Sequence, residues 1–304
     1  MGIPTDDNIY GYDGSKAAAI VFTVVNSALL TYHGYLSLWL PCRWSKVRPT
    51  QRHRYTICLW VAAAFATAGY SVRQASLSKT DDVGLYATSA SYVVLSPIFV
   101  CASLYWQLKY LVLLLLPRKE QRIYGLNPRW LGRIFITSDV TSFLTQGAGS
   151  GVASSAGWEG NTKDIGLNII LTGLALQLAT FTFFIAFLAT LVIRARRHGG
   201  LTSGPHKVLI GVWIAAAFVQ TRTIFRMVEF ALGIDGYPFS NEWMLYIFDG
   251  VPMIIALTAL GWFHPVTHLQ GKQFFEEQEA LVEAKDGVPM NAMDKTGCAS
   301  TVRV

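Results

Sequence analysis

Charged side chains recur inside long apolar stretches of this sequence, where a buried charge is costly and therefore points to a functional role. Arg222, Arg226 and Glu229 stand at i, i+4 and i+7, so a helix would carry all three on one face. In the next apolar stretch, Tyr246 and Asp249 share a helical face, and Asp249 can meet either arginine across a helix pair. Arginines suit a phosphate or carboxylate, whereas the two acids suit an amine.

A second polar group precedes this one in the chain. Asp139, Ser142 and Gln146 follow one another at spacings of three and four, which places them on one helical face. Asp139 has no cation within one helical turn of it and therefore needs a partner, water, or a bound proton that leaves it neutral. Gln177 and Tyr105 lie near the middle of two other stretches. The candidate binding residues are Arg222, Arg226, Glu229, Asp249, Asp139, Gln146, Gln177, Tyr105 and Tyr246.

The composition indicates a membrane environment for these side chains. Hydrophobic residues make up 52% of the 304 residues and charged residues only 14%, against about 25% in soluble domains. The net charge of +6 comes from short basic clusters between apolar stretches, which are orientation signals in membrane proteins. We therefore expect no nucleic-acid partner.

Seven apolar stretches are long enough to cross a bilayer, which takes about 20 residues each. The fourth is the weakest, because it holds Asp139, Gln146 and several glycines. Continuous rather than alternating hydrophobicity predicts helices instead of a barrel. The fold class is therefore all-α, an integral membrane bundle of seven transmembrane helices. The stretches lie near residues 17–40, 55–72, 86–116, 131–153, 165–193, 208–232 and 243–263.

The loop charges predict the orientation of this bundle. Lys and Arg concentrate in the loops after the first, third and fifth stretches, which places those loops and the C-terminus in the cytosol and the N-terminus outside. Residues 1–16 are then an extracellular segment, 17–265 the helical domain, and 266–304 a partly disordered cytosolic tail. Arg73, at the end of the second stretch, is expected to extend to the outer interface.

Two interpretations of the intramembrane charges remain open: a buried ion-pair network that fixes the helix register, or a cavity that receives a lipid head group. A metal site is not predicted. His264 and His268 stand at i and i+4 but lack a third ligand, and no cofactor-binding or nucleotide-binding signature is present. The absence of further metal-ligand groups also argues against a membrane hydrolase, so we expect no enzymatic activity and no cofactor.

Several short motifs occur along the chain: Ser96-Pro97, Ser138-Asp139 with Gln146-Gly147, and most specifically the stretch from Arg222 to Phe230 followed by Glu242, Tyr246, Asp249 and His264-Pro265. Through these motifs the sequence from Tyr10 to Pro265 resembles the fungal lipid-translocating exporter family, also named for resistance to aminocholesterol. One departure is Ala66, where the family often has a glutamate.

The resemblance implies a protein of the fungal plasma membrane that is linked to the export of sphingoid long-chain bases, to resistance to sterol analogues, or to porphyrin handling. On this basis we predict a transporter or translocator of amphiphilic lipids such as sphingoid long-chain bases. Such an activity would contribute to lipid asymmetry and to resistance to toxic amphiphiles. The alternative is a seven-helix receptor-like sensor that regulates lipid export or stress signalling without moving lipid itself. On either interpretation the partner is a membrane lipid or amphiphile. The motifs leave open the choice between direct transport and regulation, the substrate and the oligomeric state.

Overall fold

The computed structural model describes residues 14–39, 56–117, 120–125, 128–155, 157, 160–197, 203–233 and 236–268. Within these ranges the regular structure is helical and contains no β-strand, which confirms the all-α prediction. The predicted extracellular segment and cytosolic tail lie almost entirely outside the described residues. The basic loop after the first apolar stretch lies there too.

Seven long helices make up most of the described ranges. Two of these helices begin at an N-cap residue. The Ser15 and Asp82 side chains accept hydrogen bonds from backbone N–H groups of the first helical turn that follows each of them. Two short helices, Tyr237–Ser240 and Pro265–His268, flank the last long one. The long helices are α1 (Lys16–Trp39), α2 (Ile57–Ser76), α3 (Val83–Leu115), α4 (Pro128–Ser155), α5 (Gly160–Arg197), α6 (Ser203–Ala231) and α7 (Glu242–Trp262).

Five of the described helices are long and apolar enough to cross a membrane, namely α1, α3, α5, α6 and α7. The other two, α2 and α4, are diluted by small and polar residues, and in α4 these include Asp139 and Gln146. The prediction that the fourth stretch is the weakest agrees with this result. The count of seven membrane spans and the orientation of the termini stay predictions.

The helices form a closed ring in chain order. Each long helix packs against the next, and α7 returns to contact α1. Helix α3 also contacts α5 and α6, so it lies closer to the centre of the bundle than a helix that contacts only its neighbours in the ring. This arrangement brings polar positions of α3, α4, α5 and α6 to one place, although they are far apart in the sequence.

Glycines allow a close contact between the backbones of α4 and α5. A Cβ atom on Gly149 would lie 2.7 Å from the carbonyl oxygen of Gly166, and one on Gly166 would lie 2.6 Å from the carbonyl oxygen of Gly149. Small residues allow such backbone contact between membrane helices. On the same helix, Gly147 and Gly151 face open space. The contact fixes α4 against α5 and so determines where the polar face of α4 points.

Aromatic side chains fill the space between α3, α4 and α5. Tyr105 is fully buried, and its ring lies 5.0 Å from the rings of both Phe135 and Phe184, measured between centroids. Phe181 packs against Phe184 at 5.2 Å. These contacts hold the Tyr105 ring in place, so its hydroxyl has a defined position.

Arg73, Glu242 and Tyr246 form a polar cluster, here called the clasp, where α2 ends and α7 begins. Arg73 Nη2 lies 3.0 Å from Glu242 Oε1, and Arg73 Nε donates to the Tyr246 hydroxyl at 3.2 Å. Glu242 also accepts from the Ser15 N–H at 2.6 Å, which attaches the start of α1. Arg73 is therefore buried and paired with a carboxylate at the helix ends, and its expected position at the outer interface stays a prediction.

Replacing the clasp carboxylate is expected to loosen this end of the bundle. In Glu242→Ala the buried Arg73 guanidinium loses its carboxylate, and the Ser15 N–H and Tyr246 hydroxyl lose their acceptor. Leaving buried groups unsatisfied costs about 1–3 kcal/mol, so thermal unfolding of the purified protein should occur at a lower temperature. Asp81→Ala, at an exposed acid, is the control. Equal melting temperatures for Glu242→Ala and Asp81→Ala would contradict the assignment.

Candidate functional site

Two buried ion pairs stand in the second half of α6. Arg222 Nε lies 2.8 Å from Asp249 Oδ1 on α7, and Arg226 Nη1 lies 2.8 Å from Glu229 Oε2 one turn along the same helix. The prediction that Asp249 meets one of the arginines is confirmed. The guanidinium of Arg226 also lies over the ring of Phe230, 5.0 Å from its centroid. Each arginine therefore has its own carboxylate.

A π-helical turn in α7, Leu245–Gly250, positions Asp249. Pro252 follows this turn and has no N–H to donate to the carbonyl oxygen of Phe248, which disfavours a regular α-helical ladder here. The same turn carries Tyr246, which takes part in the clasp with Arg73. Tyr246 thus lies next to the ion pairs but is outside the set of residues that line the cavity described below. One turn of helix connects the clasp with the Arg222 ion pair.

A cavity between α3, α4, α5 and α6 brings most of the predicted binding residues together. Its volume is about 10 Å³, which is room for about one water molecule. Glu229 and Asp249 stand behind it as partners of its two arginines. The cavity is lined by Val94, Ile98, Asp139, Phe143, Gln146, Leu174, Gln177, Arg222, Thr223 and Arg226.

Asp139 is the carboxylate of this cavity that has no cation beside it. Its side chain is 2% exposed, and Oδ2 accepts a hydrogen bond from the Tyr105 hydroxyl at 2.7 Å. Oδ1 has no hydrogen-bond partner in the described part of the chain. Beside it in the cavity wall, Gln146 Nε2 donates to Gln177 Oε1 at 3.3 Å. A buried carboxylate oxygen without a partner is costly and marks a place where a donor is expected to bind.

The charges around the cavity do not balance. Arg222 and Arg226 are neutralised by Asp249 and Glu229, so the two ion pairs contribute no net charge. Asp139 forms no ion pair with the described residues, so in its ionised form it leaves one negative charge. A low-dielectric site with one unbalanced negative charge favours a ligand with one positive charge.

Sequence reasoning missed the apolar residues of the cavity wall. Val94, Ile98 and Leu174 cannot be distinguished in the sequence from residues that face lipid or core. Spacing could have found Phe143, which lies between Asp139 and Gln146 on α4. The cavity wall therefore contains both polar and apolar residues, which matches an amphiphile better than a fully polar solute.

Comparison with known proteins places the chain in a family. The model of the family described as RTA1 like protein matches residues 59–272, over two thirds of the chain. No solved structure matches the chain. Curated fungal relatives are 23–28% identical to it, and the aligned segments cover between 64% and 92% of their own lengths.

Three of these relatives carry names that mention a ligand. The protoporphyrin uptake protein 1 of Saccharomyces cerevisiae is 26% identical over 83% of this chain and 90% of its own. The probable lipid transporter atnI of Emericella nidulans is 27% identical over 87% of this chain and 69% of its own. The sphingoid long-chain base transporter RSB1 of Saccharomyces cerevisiae is 24% identical over 73% of this chain and 67% of its own.

These matches confirm the resemblance found from the motifs around Asp139 and between Arg222 and Phe230. Together with the apolar helices, they identify an integral membrane protein. The chain belongs to the family of RTA1-like proteins.

Proposed function

We propose that this protein transports amphiphilic lipids whose head group carries one positive charge, and that Asp139 binds this head group. The proposal depends on Asp139, a residue of the cavity wall whose buried Oδ1 atom has no partner among the described residues. An amine provides both a charge that balances the carboxylate and N–H donors for its oxygen. The proposal includes seven membrane spans, an external N-terminus and a location in the fungal plasma membrane.

The cavity walls suit the two ends of such a ligand. An amine at Asp139 can donate its remaining N–H groups to the amide oxygens of Gln146 and Gln177. The apolar residues Val94 and Ile98 of α3 offer a surface for the first methylene groups of the chain. The head group is larger than the single water that the cavity admits, so α3, α4, α5 and α6 must separate for the lipid to enter or leave.

The names of the relatives support lipid transport but differ in the charge of the ligand. A sphingoid base carries an amine, whereas protoporphyrin carries carboxylates. The two arginines of the cavity would suit carboxylates only if their own acids were absent. Because Asp249 and Glu229 occupy them, the unbalanced charge favours the cationic ligand.

Liposomes that contain only the purified protein test the proposal. A sphingoid base is loaded into the inner leaflet, and albumin outside extracts what reaches the outer leaflet. We expect extraction to be faster than from protein-free liposomes, and a fatty acid of the same chain length to show no acceleration. Equal extraction with and without protein would rule out direct transport. If the protein still binds the base, as measured by its thermal stability, the sensor alternative is favoured instead.

A further inference from the structure

The cavity holds a second buried polar atom without a partner. Arg222 is 4% exposed, and its Nη2 atom has no hydrogen-bond acceptor among the described residues. This atom and Asp139 Oδ1 belong to residues that line the same space. Buried polar groups are almost always paired, so an unpaired donor and an unpaired acceptor at one cavity require a common explanation.

We infer that Arg222 is a specificity-determining residue, which donates through Nη2 to a neutral oxygen of the head group while Asp139 holds the amine. Arg222 would then account for a preference for a sphingoid base, which is a long-chain amino alcohol, over an alkylamine that lacks the hydroxyl. This inference rests on the proposed function and adds a second point of recognition to it. One ligand satisfies both unpaired atoms.

The surroundings of the two arginines single out Arg222. Asp249 lies 2.8 Å from Arg222 Nε and holds that side of the guanidinium, whereas Nη2 has no partner among the described residues. Arg226 is more exposed, at 15% of its side chain, and its guanidinium is held by Glu229 and by the ring of Phe230. A rigid donor discriminates better than a mobile one, because its geometry does not adapt to a ligand without the acceptor.

The same ion pairs indicate that the ligand oxygen next to Arg222 is uncharged. Asp249 and Glu229 already neutralise both arginines. A phosphate on the ligand would add negative charge beside Asp139 with no unpaired cation to receive it. A hydroxyl accepts from Arg222 without changing the charge of the site. The phosphorylated form of an amino alcohol is therefore expected to bind more weakly than the free alcohol.

Three ligands with the same chain length test the inference on the wild-type protein: octadecylamine, sphinganine and sphinganine phosphate. Their dissociation constants are measured by titration into detergent-solubilised protein. We expect sphinganine to bind about tenfold more tightly than octadecylamine, the ratio expected for one hydrogen bond to a charged donor. Sphinganine phosphate should bind more weakly than sphinganine. Equal affinity for sphinganine and octadecylamine overturns the role of Arg222 and leaves amine binding at Asp139 intact.

Two variants separate this role from a structural one. Arg222→Lys keeps a cation beside Asp249 but removes Nη2, so the preference for sphinganine over octadecylamine should fall to less than about threefold. Replacing the pair together, Arg222→Gln with Asp249→Asn, removes the donor without leaving a lone charge and should give the same loss. A preference that survives in both variants contradicts the inference. Failure of every amine to bind the wild-type protein would instead refute the proposed function.

Discussion

Asp139→Asn is expected to abolish transport of an amine amphiphile while leaving the fold intact. Asparagine has the same shape, and its side-chain oxygen can still accept from the Tyr105 hydroxyl. The charge that balances the amine is lost, and a hydrogen bond to a charged group contributes about 1.5–3 kcal/mol. Affinity should therefore fall about tenfold to a hundredfold. The measurement is extraction of a sphingoid base from liposomes together with a binding titration.

Ser142→Ala is the matched control for this variant. Ser142 lies one turn further along α4, is fully buried, and has a hydroxyl oxygen without a partner, but it is not among the residues that line the cavity. Its removal should leave both transport and binding close to the wild-type values. If Asp139→Asn also transports and binds at wild-type levels, the cation site is not at Asp139.

Gly149→Ala is expected to destabilise the protein more than any other single methyl group added to α4. The new Cβ would lie 2.7 Å from the Gly166 carbonyl oxygen and 2.9 Å from the Ile170 nitrogen. Both are backbone atoms, which cannot rotate away, so α4 and α5 must move apart. Overpacking of this kind costs about 1–3 kcal/mol. Thermal unfolding of the purified variant, followed by loss of the monodisperse fraction, measures the effect.

Gly147→Ala and Gly151→Ala control for the helix itself. They lie on the same helix, two residues before and after Gly149, and a Cβ at either position meets no atom within 4 Å. Alanine favours a helix over glycine by up to about 1 kcal/mol, so these variants should be as stable as wild type or slightly more. Equal melting temperatures for all three variants would show that the α4–α5 contact is looser than described.

The ion pairs of the site could be predicted from the sequence because helical spacing fixes their geometry. Arg226 and Glu229 are three residues apart on one helix, and such neighbours meet whatever the tertiary structure. Asp249 required one more assumption, that α6 and α7 are adjacent, and a short connection makes that arrangement common. The all-α class followed from the long apolar stretches alone.

The surroundings of Arg73 could not be predicted in this way. Its partner Glu242 is 169 positions away, and the two meet only because the ring of helices brings the end of α2 to the start of α7. From the local sequence alone, Arg73 is expected to behave like any arginine at a helix end. In the folded protein it binds a carboxylate and a tyrosine hydroxyl from a helix that is distant in the sequence.

The isolation of Asp139 was visible in the sequence, but its partner and the width of the cavity were not. No cation lies within one turn of Asp139 on α4. Whether a cation of another helix reaches Asp139 depends on how α3, α5 and α6 are rotated. Tyr105 reaches it because Phe135 and Phe184 hold the tyrosine ring in place. Such packing depends on the volumes of many side chains together, and no short motif encodes it.

For the proposed transport, the narrowness of the cavity would also limit the rate. A head group larger than one water could enter only after α3, α4, α5 and α6 part, so the substrate would have to wait for a motion of the protein. Association that requires such a rearrangement is slower than diffusion, and collective helix motions take microseconds to milliseconds. The turnover rate would then depend on how often the four helices separate. It would reach a maximum that more amphiphile in the membrane could not raise.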